Sequence, residues 1–416
     1  MTSRERVRCA LKHQQPDRVP VDFGATAVTG ISASTLYRLR AALGLPERAI
    51  KVTDPYQMLG EVDADILAYF CVDVVGLPAR SNLFGYENTN YKPWTMFDGT
   101  PVLVPGGFNT VPNEKGDILM YPQGDRSAPP SGRMPKGGHY FDAISRQQPI
   151  DDENLNPADN LEEYALLSDE ALREIERDAD RLYRETEYAL VGGAGIGALG
   201  DIAYVPGTML KHPKGIRDVE EWYVSLLTRP AYIHEVFARE TEMALENFRR
   251  YHQAVGNKID VLFLCGTDFG TQIAPFCSVA LFRELFLPYY KRMTDWIHSH
   301  TSWAVLKHSC GAIEPLIPEL IEAGFDILNP VQCSATGMDP QKLKDNFGDR
   351  LVFWGGGIDT QRTLPFGTPQ EVREEVRSRV ATFSRDGGFV FNAIHNIQAG
   401  TPVENLMALA EVLRGR

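Results

Sequence analysis

Trp303-Ala304-Val305-Leu306-Lys307-His308-Ser309-Cys310-Gly311 is the stretch on which the reading of this chain turns. Its first four residues are apolar without alternation, the pattern of a strand buried on both faces rather than half open to water. The run then closes with an imidazole and a thiol two residues apart. Residues i and i+2 of a strand share a face, so His308 and Cys310 are expected to point together into one site. A neutral imidazole and a thiolate make a strong donor pair for Zn²⁺. Two ligands are only a fragment of a metal site, and a buried His beside a small apolar Cys is the plain alternative.

Runs of the same kind recur at 188–191, 260–264, 326–328, 350–354 and 388–391, with helix-like stretches between them at 219–251, 278–300, 313–323 and 369–385 and a last one at 402–413. Strands that read as continuous apolar runs, each followed by a helix, point to a parallel sheet covered on both sides. The number of units favours a (β/α)8 TIM barrel over a doubly wound sheet. The first half is less regular. A helix over 3–13 ends at Gln14-Gln15-Pro16-Asp17-Arg18-Val19-Pro20, a short strand follows at Val21-Asp22-Phe23, and 62–77 holds another helix and strand.

Residues 85–150 differ in kind. Within 97–121, β-rich runs are separated by Asp98-Gly99, Pro105-Gly106-Gly107 and Asn113-Glu114-Lys115-Gly116, all turn signals, while 122–138, rich in Pro, Gly and Ser, reads as a loop. The expectation is one barrel over 1–416 with a β-hairpin subdomain inserted at 85–150 over its mouth.

The chain has 416 residues, 55 acidic against 42 basic, for a net charge of −13. With no Lys/Arg-rich block, binding to nucleic acid or to an anionic membrane surface is not expected. The start Met1-Thr2-Ser3-Arg4-Glu5-Arg6 carries no apolar signal core and no eighteen-residue apolar run occurs, so a cytoplasmic protein is expected. Six cysteines (9, 71, 265, 277, 310 and 333) are scattered without a CxxC pair, which argues for thiols in the core or on a metal rather than disulfides.

In a parallel barrel the chemistry sits at the carboxyl ends of the strands. Those ends carry Cys265 and Asp268, then His308 and Cys310, then Cys333, then Asp359, then His395. A closed barrel brings such ends to one mouth, which strengthens the metal reading. Plainer roles exist for each: Cys265 and Cys333 as small buried residues, Asp268 and Asp359 as helix caps, His395 as a loop hydrogen-bonding group. His298 and His300 fit the polar end of a helix. The glycines of Gly192-Gly193-Ala194-Gly195-Ile196-Gly197 lack the acidic residue that a dinucleotide site needs. No nucleophile elbow, phosphate-binding Gly-Lys-Ser/Thr or His-Glu-x-x-His sequence is present.

Pro16-Asp17-Arg18-Val19-Pro20-Val21, Lys307-His308-Ser309-Cys310-Gly311, Asn329-Pro330-Val331-Gln332, Phe353-Trp354-Gly355-Gly356-Gly357-Ile358-Asp359 and Thr401-Pro402-Val403-Glu404-Asn405 together resemble the uroporphyrinogen decarboxylase superfamily. The resemblance implies a (β/α)8 barrel, commonly a homodimer. Its decarboxylases carry arginines in a Gln-Ala-Gly-Arg motif after the first strand, where this chain reads Phe23-Gly24-Ala25-Thr26-Ala27-Val28, and an aspartate in Phe-Ser-Asp after the next, where it reads Val74-Val75-Gly76-Leu77-Pro78. A substrate with eight carboxylates would find no matching cations there.

The chain is more similar to the zinc methyltransferases that serve corrinoid proteins, in which a His-x-Cys pair and a later Cys bind Zn²⁺. His308 and Cys310 match the pair. The third position aligns with His395, so the resemblance leaves His395 or Cys333 as third ligand, with Asp268 as a substrate-orienting or proton-handling carboxylate. It implies a small-molecule methyl donor or acceptor and, since no Asp-x-His-x-x-Gly signature is present, a corrinoid on a separate protein. The alternatives are a metal-free tetrapyrrole decarboxylase with His395 and Tyr204 near the substrate, and a non-catalytic corrinoid or porphyrin binder.

Overall fold

A computed structural model describes residues 1–415. Seven parallel strands follow one another around a single curled sheet: Val74–Gly76, Ala189–Gly192, Val261–Cys265, Ala304–His308, Ile327–Asn329, Val352–Trp354 and Phe389–Val390. Its two edges are joined by the pair Val21 and Asp22, which bridges Phe391 on one side and Val74 on the other, both parallel. Backbone bonds from Asp22 N to Phe391 O (2.9 Å) and from Asp73 N to Val21 O (2.8 Å) complete the ring. The cylinder is therefore closed by an eighth strand only two residues long.

Two separate apolar clusters explain why the strands read as unbroken apolar runs. Val74, Ala189, Val191, Val261, Leu306, Ile327, Val352, Trp354 and Val390 form one of them. They occupy alternate positions of their strands, such as Ala189 with Val191 and Val352 with Trp354, and fill the cylinder. The intervening residues, Leu190, Leu262, Val305, Leu328, Phe353 and Phe389, belong to the larger cluster against the surrounding helices. Inward phase carried two residues further reaches His308 after Leu306, Asn329 after Ile327 and Asn392 after Val390. Polar groups thus cap the apolar column at its carboxyl end.

The amino end is plugged. Helix Ser3–Leu11, opened by a Thr2/Glu5 capping box, inserts Val7 into the interior cluster. Its arginines bind carboxylates at the starts of strands: Arg6 to Asp73 at 2.6 Å and Arg8 to Asp260 at 2.5 Å. Arg18 reaches Asp73 as well. The open end of the barrel is consequently the carboxyl end.

Between Gly76 and helix Asp169–Glu185 the chain adds two strands to one four-stranded sheet and builds a second entirely. One joins Lys92–Thr95 and Pro101–Val104 to Ile50–Asp54 and Leu59–Gly60. The other is Val111–Pro112, Ile118–Met120, Gly132–Met134 and Asp142–Ala143. Turns fall where the sequence places them, with Gly99 and Gly116 in the left-handed region at φ 85° and 84°. The stretch 122–138, read as loop, contains the strand Gly132–Met134. It forms by pairing with Ile118–Met120, and Gly132 is required because a methyl there would come within 2.6 Å of the Phe84 ring. Long-range pairing overrides the loop-like composition. The insertion is tied to the loop after Ala189–Gly192 by Arg146 Nη2 donating to Gly207 O at 2.5 Å and by Thr208 donating to Leu83 O.

Two expected helices are each split in two, as Val219–Thr228 with Pro230–Val255 and as Val279–Leu285 with Leu287–His300. Pro230 and Pro288 stand in the first turn of the second member, where a missing N–H costs nothing. No helix among the described residues is long and apolar enough to cross a membrane.

Candidate metal centre

His308 ends strand Ala304–His308 and is 3% exposed. Its Nδ1 lies 2.5 Å from Asn329 Oδ1. The Asn329 amide is itself oriented, because its Nδ2 donates to the Trp354 carbonyl at 2.7 Å and so must be the nitrogen. Asn329 therefore accepts, His308 Nδ1 carries the proton, and the lone pair sits on Nε2. That nitrogen is 3.4 Å from Cys310 Sγ. Two ligands on one tetrahedral zinc, with Zn–S about 2.3 Å and Zn–N about 2.0 Å, stand roughly 3.5 Å apart, so the observed spacing fits the ion. Asn329 is the outer partner that fixes the imidazole, and its replacement by alanine is expected to weaken the affinity for a divalent metal about 10–100-fold in a chelator competition titration.

Cys310 lies beyond the strand and is positioned by two loops packed backbone against backbone. Cys310 N donates to Asp268 Oδ1 at 2.7 Å, Phe269 N to Ser309 Oγ at 2.9 Å, and Ala312 N to Thr271 O at 2.7 Å. Gly311 N donates to Gln332 Oε1 at 2.8 Å. Asp268 Oδ1 is also 3.8 Å from His308 Nε2. Below them Lys307 is fully buried, with Nζ donating to the His308 carbonyl at 2.6 Å and to the Thr267 carbonyl, over the Phe269 ring.

Burial, and the charge of Lys307, push the His308 pKa down to about 4, while burial and His308 push that of His395 to about 4. Both rings are neutral at pH 7, as donors must be. Burial, and next the Asp268 carboxylate, hold the Cys310 thiol well above its usual range.

His308, Cys310 and His395 are brought together, their donor atoms all within 4.8 Å of one another. The His308 and His395 rings stand edge to face with centroids 5.2 Å apart. His395 follows the last strand with φ 68°, and its Nδ1 accepts the N–H of Asn396 at 2.8 Å. Asp268 joins the site through Cys310 and His308. Cys333 does not, and its expectation as third ligand is corrected: just after Val331, which is left-handed at φ 58°, Cys333 N and Sγ both bond the Val331 carbonyl, at 2.8 and 3.3 Å. The charged groups around that thiol are Arg379, Glu375, Asp339 and Asp359. Asp359 accepts from Gln361 N and Arg362 N, a turn-capping role. Cys265 is core, 1% exposed. Asn329 and Lys307 were not singled out from sequence. Asn329 had one available signal, its place two residues beyond an inward apolar residue.

Behind the site, burial and the neighbouring carboxylate Glu163 raise the Glu240 pKa to about 8, and burial raises that of Asp201 to about 6. Folded Glu240 keeps its proton from pH ~4.5 to ~8 while the unfolded chain releases it, so stability falls as pH rises through that window. Glu240→Gln retains an acceptor for Gly197 N, bonded at 3.2 Å. It is expected to stabilise the protein by roughly 2–3 kcal/mol more at pH 8.5 than at pH 5.5 in denaturant titrations.

Residues 196–416 match the family described as uroporphyrinogen decarboxylase (URO-D). A 77-residue segment is 34% identical to the uroporphyrinogen decarboxylase of Psychromonas ingrahamii, a similarity spanning 18% of this chain and 21% of that protein. A methyltransferase from Methanosarcina mazei superposes with TM-score 0.57 at 17% identity, over 100% of this chain and 99% of that one, which establishes a shared fold. Since the matched residues make up more than half of its length, the chain belongs to the uroporphyrinogen decarboxylase family.

Proposed function

We propose that this chain is a zinc-dependent methyltransferase that moves a methyl group between a small methoxy compound or thiol and a corrinoid held by a separate protein. The observation that carries the reading is the outward Nε2 lone pair of His308 set 3.4 Å from Cys310 Sγ at the open end of the barrel. Zinc there supplies Lewis acidity, either keeping a thiol as thiolate or drawing charge from a methoxy oxygen. His308 is held for this by Asn329, and Cys310 by Asp268 and by Gly311, against which the Gly270 backbone packs so closely that a methyl there would stand 2.3 Å from it. The first strand leads into Phe23-Gly24-Ala25-Thr26-Ala27-Val28 without an arginine, so a polycarboxylate tetrapyrrole would leave charges unpaired. The insertion, anchored at the same end of the barrel, suits a cover for the mouth or a docking face for the corrinoid protein, and a homodimer fits the family.

The test is an assay with zinc-loaded protein and free cobalamin: methyl transfer from methoxybenzenes to reduced cobalamin, or from methylcobalamin to thiols, followed by the corrinoid absorbance. Transfer that depends on zinc supports the reading. Uroporphyrinogen decarboxylation by metal-free protein, with no transfer, overturns it.

A further inference from the structure

We infer that His395 is not a metal ligand but a hydrogen-bond donor to an oxygen of the methyl donor, and that Asp268 takes the third ligand position beside His308 and Cys310. The inference rests on the zinc reading above and adds to it a substrate class, O-methyl compounds.

A backbone N–H can only donate, so the 2.8 Å contact from Asn396 N requires an unprotonated Nδ1 on His395. In a neutral imidazole the proton is then on Nε2. One lone pair of the ring is taken by the main chain and the other nitrogen holds hydrogen, so neither is ready for a cation. The ring lies back over its own next residue, at a position where the backbone is left-handed. His308 has the opposite tautomer, with its bare Nε2 toward Cys310. The two histidines are edge to face but carry opposite hydrogen-bonding faces. No protein acceptor for His395 Nε2–H occurs among the described residues, although the ring borders the site.

Asp268 supplies what His395 does not. Its Oδ1 is 3.8 Å from His308 Nε2 and bonded to the Cys310 amide, so nitrogen, sulfur and oxygen donors converge from two neighbouring strand ends. A carboxylate and a thiolate together balance the charge of a divalent ion.

A neutral N–H donor has use where an oxygen gains charge. When a methyl carbon–oxygen bond breaks, the electron pair stays on oxygen and the methyl is taken by the reduced cobalt of the separate corrinoid protein. The hydrogen bond from His395 steadies the charge on that oxygen, and the proton remains on the ring. Sulfur is a weak acceptor and would make little use of such a donor.

Three measurements test this. Long-range ¹H–¹⁵N correlation of histidine-labelled protein, with the His395 signals assigned by their loss in His395→Gln, is expected to show the Nε2–H tautomer. Chelator competition is expected to give zinc affinities for His395→Leu and His395→Gln within about threefold of the parent, and at least tenfold weaker binding for Asp268→Asn, which keeps an acceptor for the Cys310 amide. Binding of 2-methoxyphenol to zinc-loaded protein is expected to weaken at least tenfold in His395→Leu and to recover partly in His395→Gln, which restores an N–H. An Nδ1–H tautomer, zinc lost from His395→Leu, or 2-methoxyphenol binding indifferent to both variants overturns the inference. Parent protein that binds no zinc overturns the underlying reading as well, and is told apart by appearing before any variant is made.

Discussion

His308→Ala and Cys310→Ala are each expected to lower zinc from about one per chain to less than a tenth after dialysis, with methyl transfer falling at least about a thousandfold. Each substitution removes one of a small number of donors. A catalytic zinc held by three protein groups keeps little affinity with two, because the remaining donors must still give up their protons and their hydration. The two variants differ in what they leave behind. His308→Ala strands the Asn329 carbonyl oxygen, which now accepts from Nδ1 at 2.5 Å, in a buried place, and is expected to cost about 1–3 kcal/mol of stability in addition. Cys310→Ala removes only the weak sulfur contact to His308 Nε2 at 3.4 Å, while its amide still donates to Asp268, and its stability is expected to stay within about 1 kcal/mol of the parent. Metal content by elemental analysis and unfolding by urea separate the two effects. Zinc kept in both variants places the ion elsewhere.

Gly311→Ala is expected to destabilise the protein by about 4 kcal/mol and to weaken zinc binding at least tenfold. Gly311 has φ 90°, and a methyl there would stand 2.3 Å from the carbonyl carbon and oxygen of Gly270. The left-handed conformation alone costs an L-residue about 1–3 kcal/mol, and the obstacle is backbone, which cannot rotate away as a side chain would. The contact couples the loop holding Asp268 to the loop holding Cys310. Forcing them apart therefore displaces two groups of the site together. A Gly311→Ala protein of parental stability, measured by urea unfolding, would show that the two loops do not need this contact.

Most of the barrel was legible because burial on both faces writes itself into sequence as unbroken apolar runs, and six such runs mark strands that form. The eighth strand was legible at Val21-Asp22-Phe23, but not its place closing the ring: two residues long, with inward-lying Asp22 holding the Trp354 indole at 2.8 Å, it lacks an apolar run of its own. The insertion was harder because its strands are only two to four residues long, so Gly132–Met134, paired with Ile118–Met120, hides in a stretch composed like a loop. In the site, His308 and Cys310 were legible as a pair, although the strand ends at His308 and Cys310 is brought beside it by the bonds of the following loop rather than by strand alternation. The displacement of Cys333 was not, since its N and Sγ turn onto the Val331 carbonyl beside a left-handed Val331, a conformation that β-branched residues seldom adopt and that composition does not announce. The orientation of His395 likewise shows only in its contact with the N–H of Asn396, which spacing does not announce. Asn329 and Lys307 act through neighbours that only the closed barrel supplies.

Zinc-edge X-ray absorption on protein purified without chelator tests most directly whether an imidazole and a thiolate hold one ion at the barrel mouth. Expected is one sulfur at about 2.3 Å and one imidazole nitrogen at about 2.0 Å, the remaining scatterers being oxygen. A spectrum without sulfur, or protein that arrives without zinc and takes none up, contradicts it.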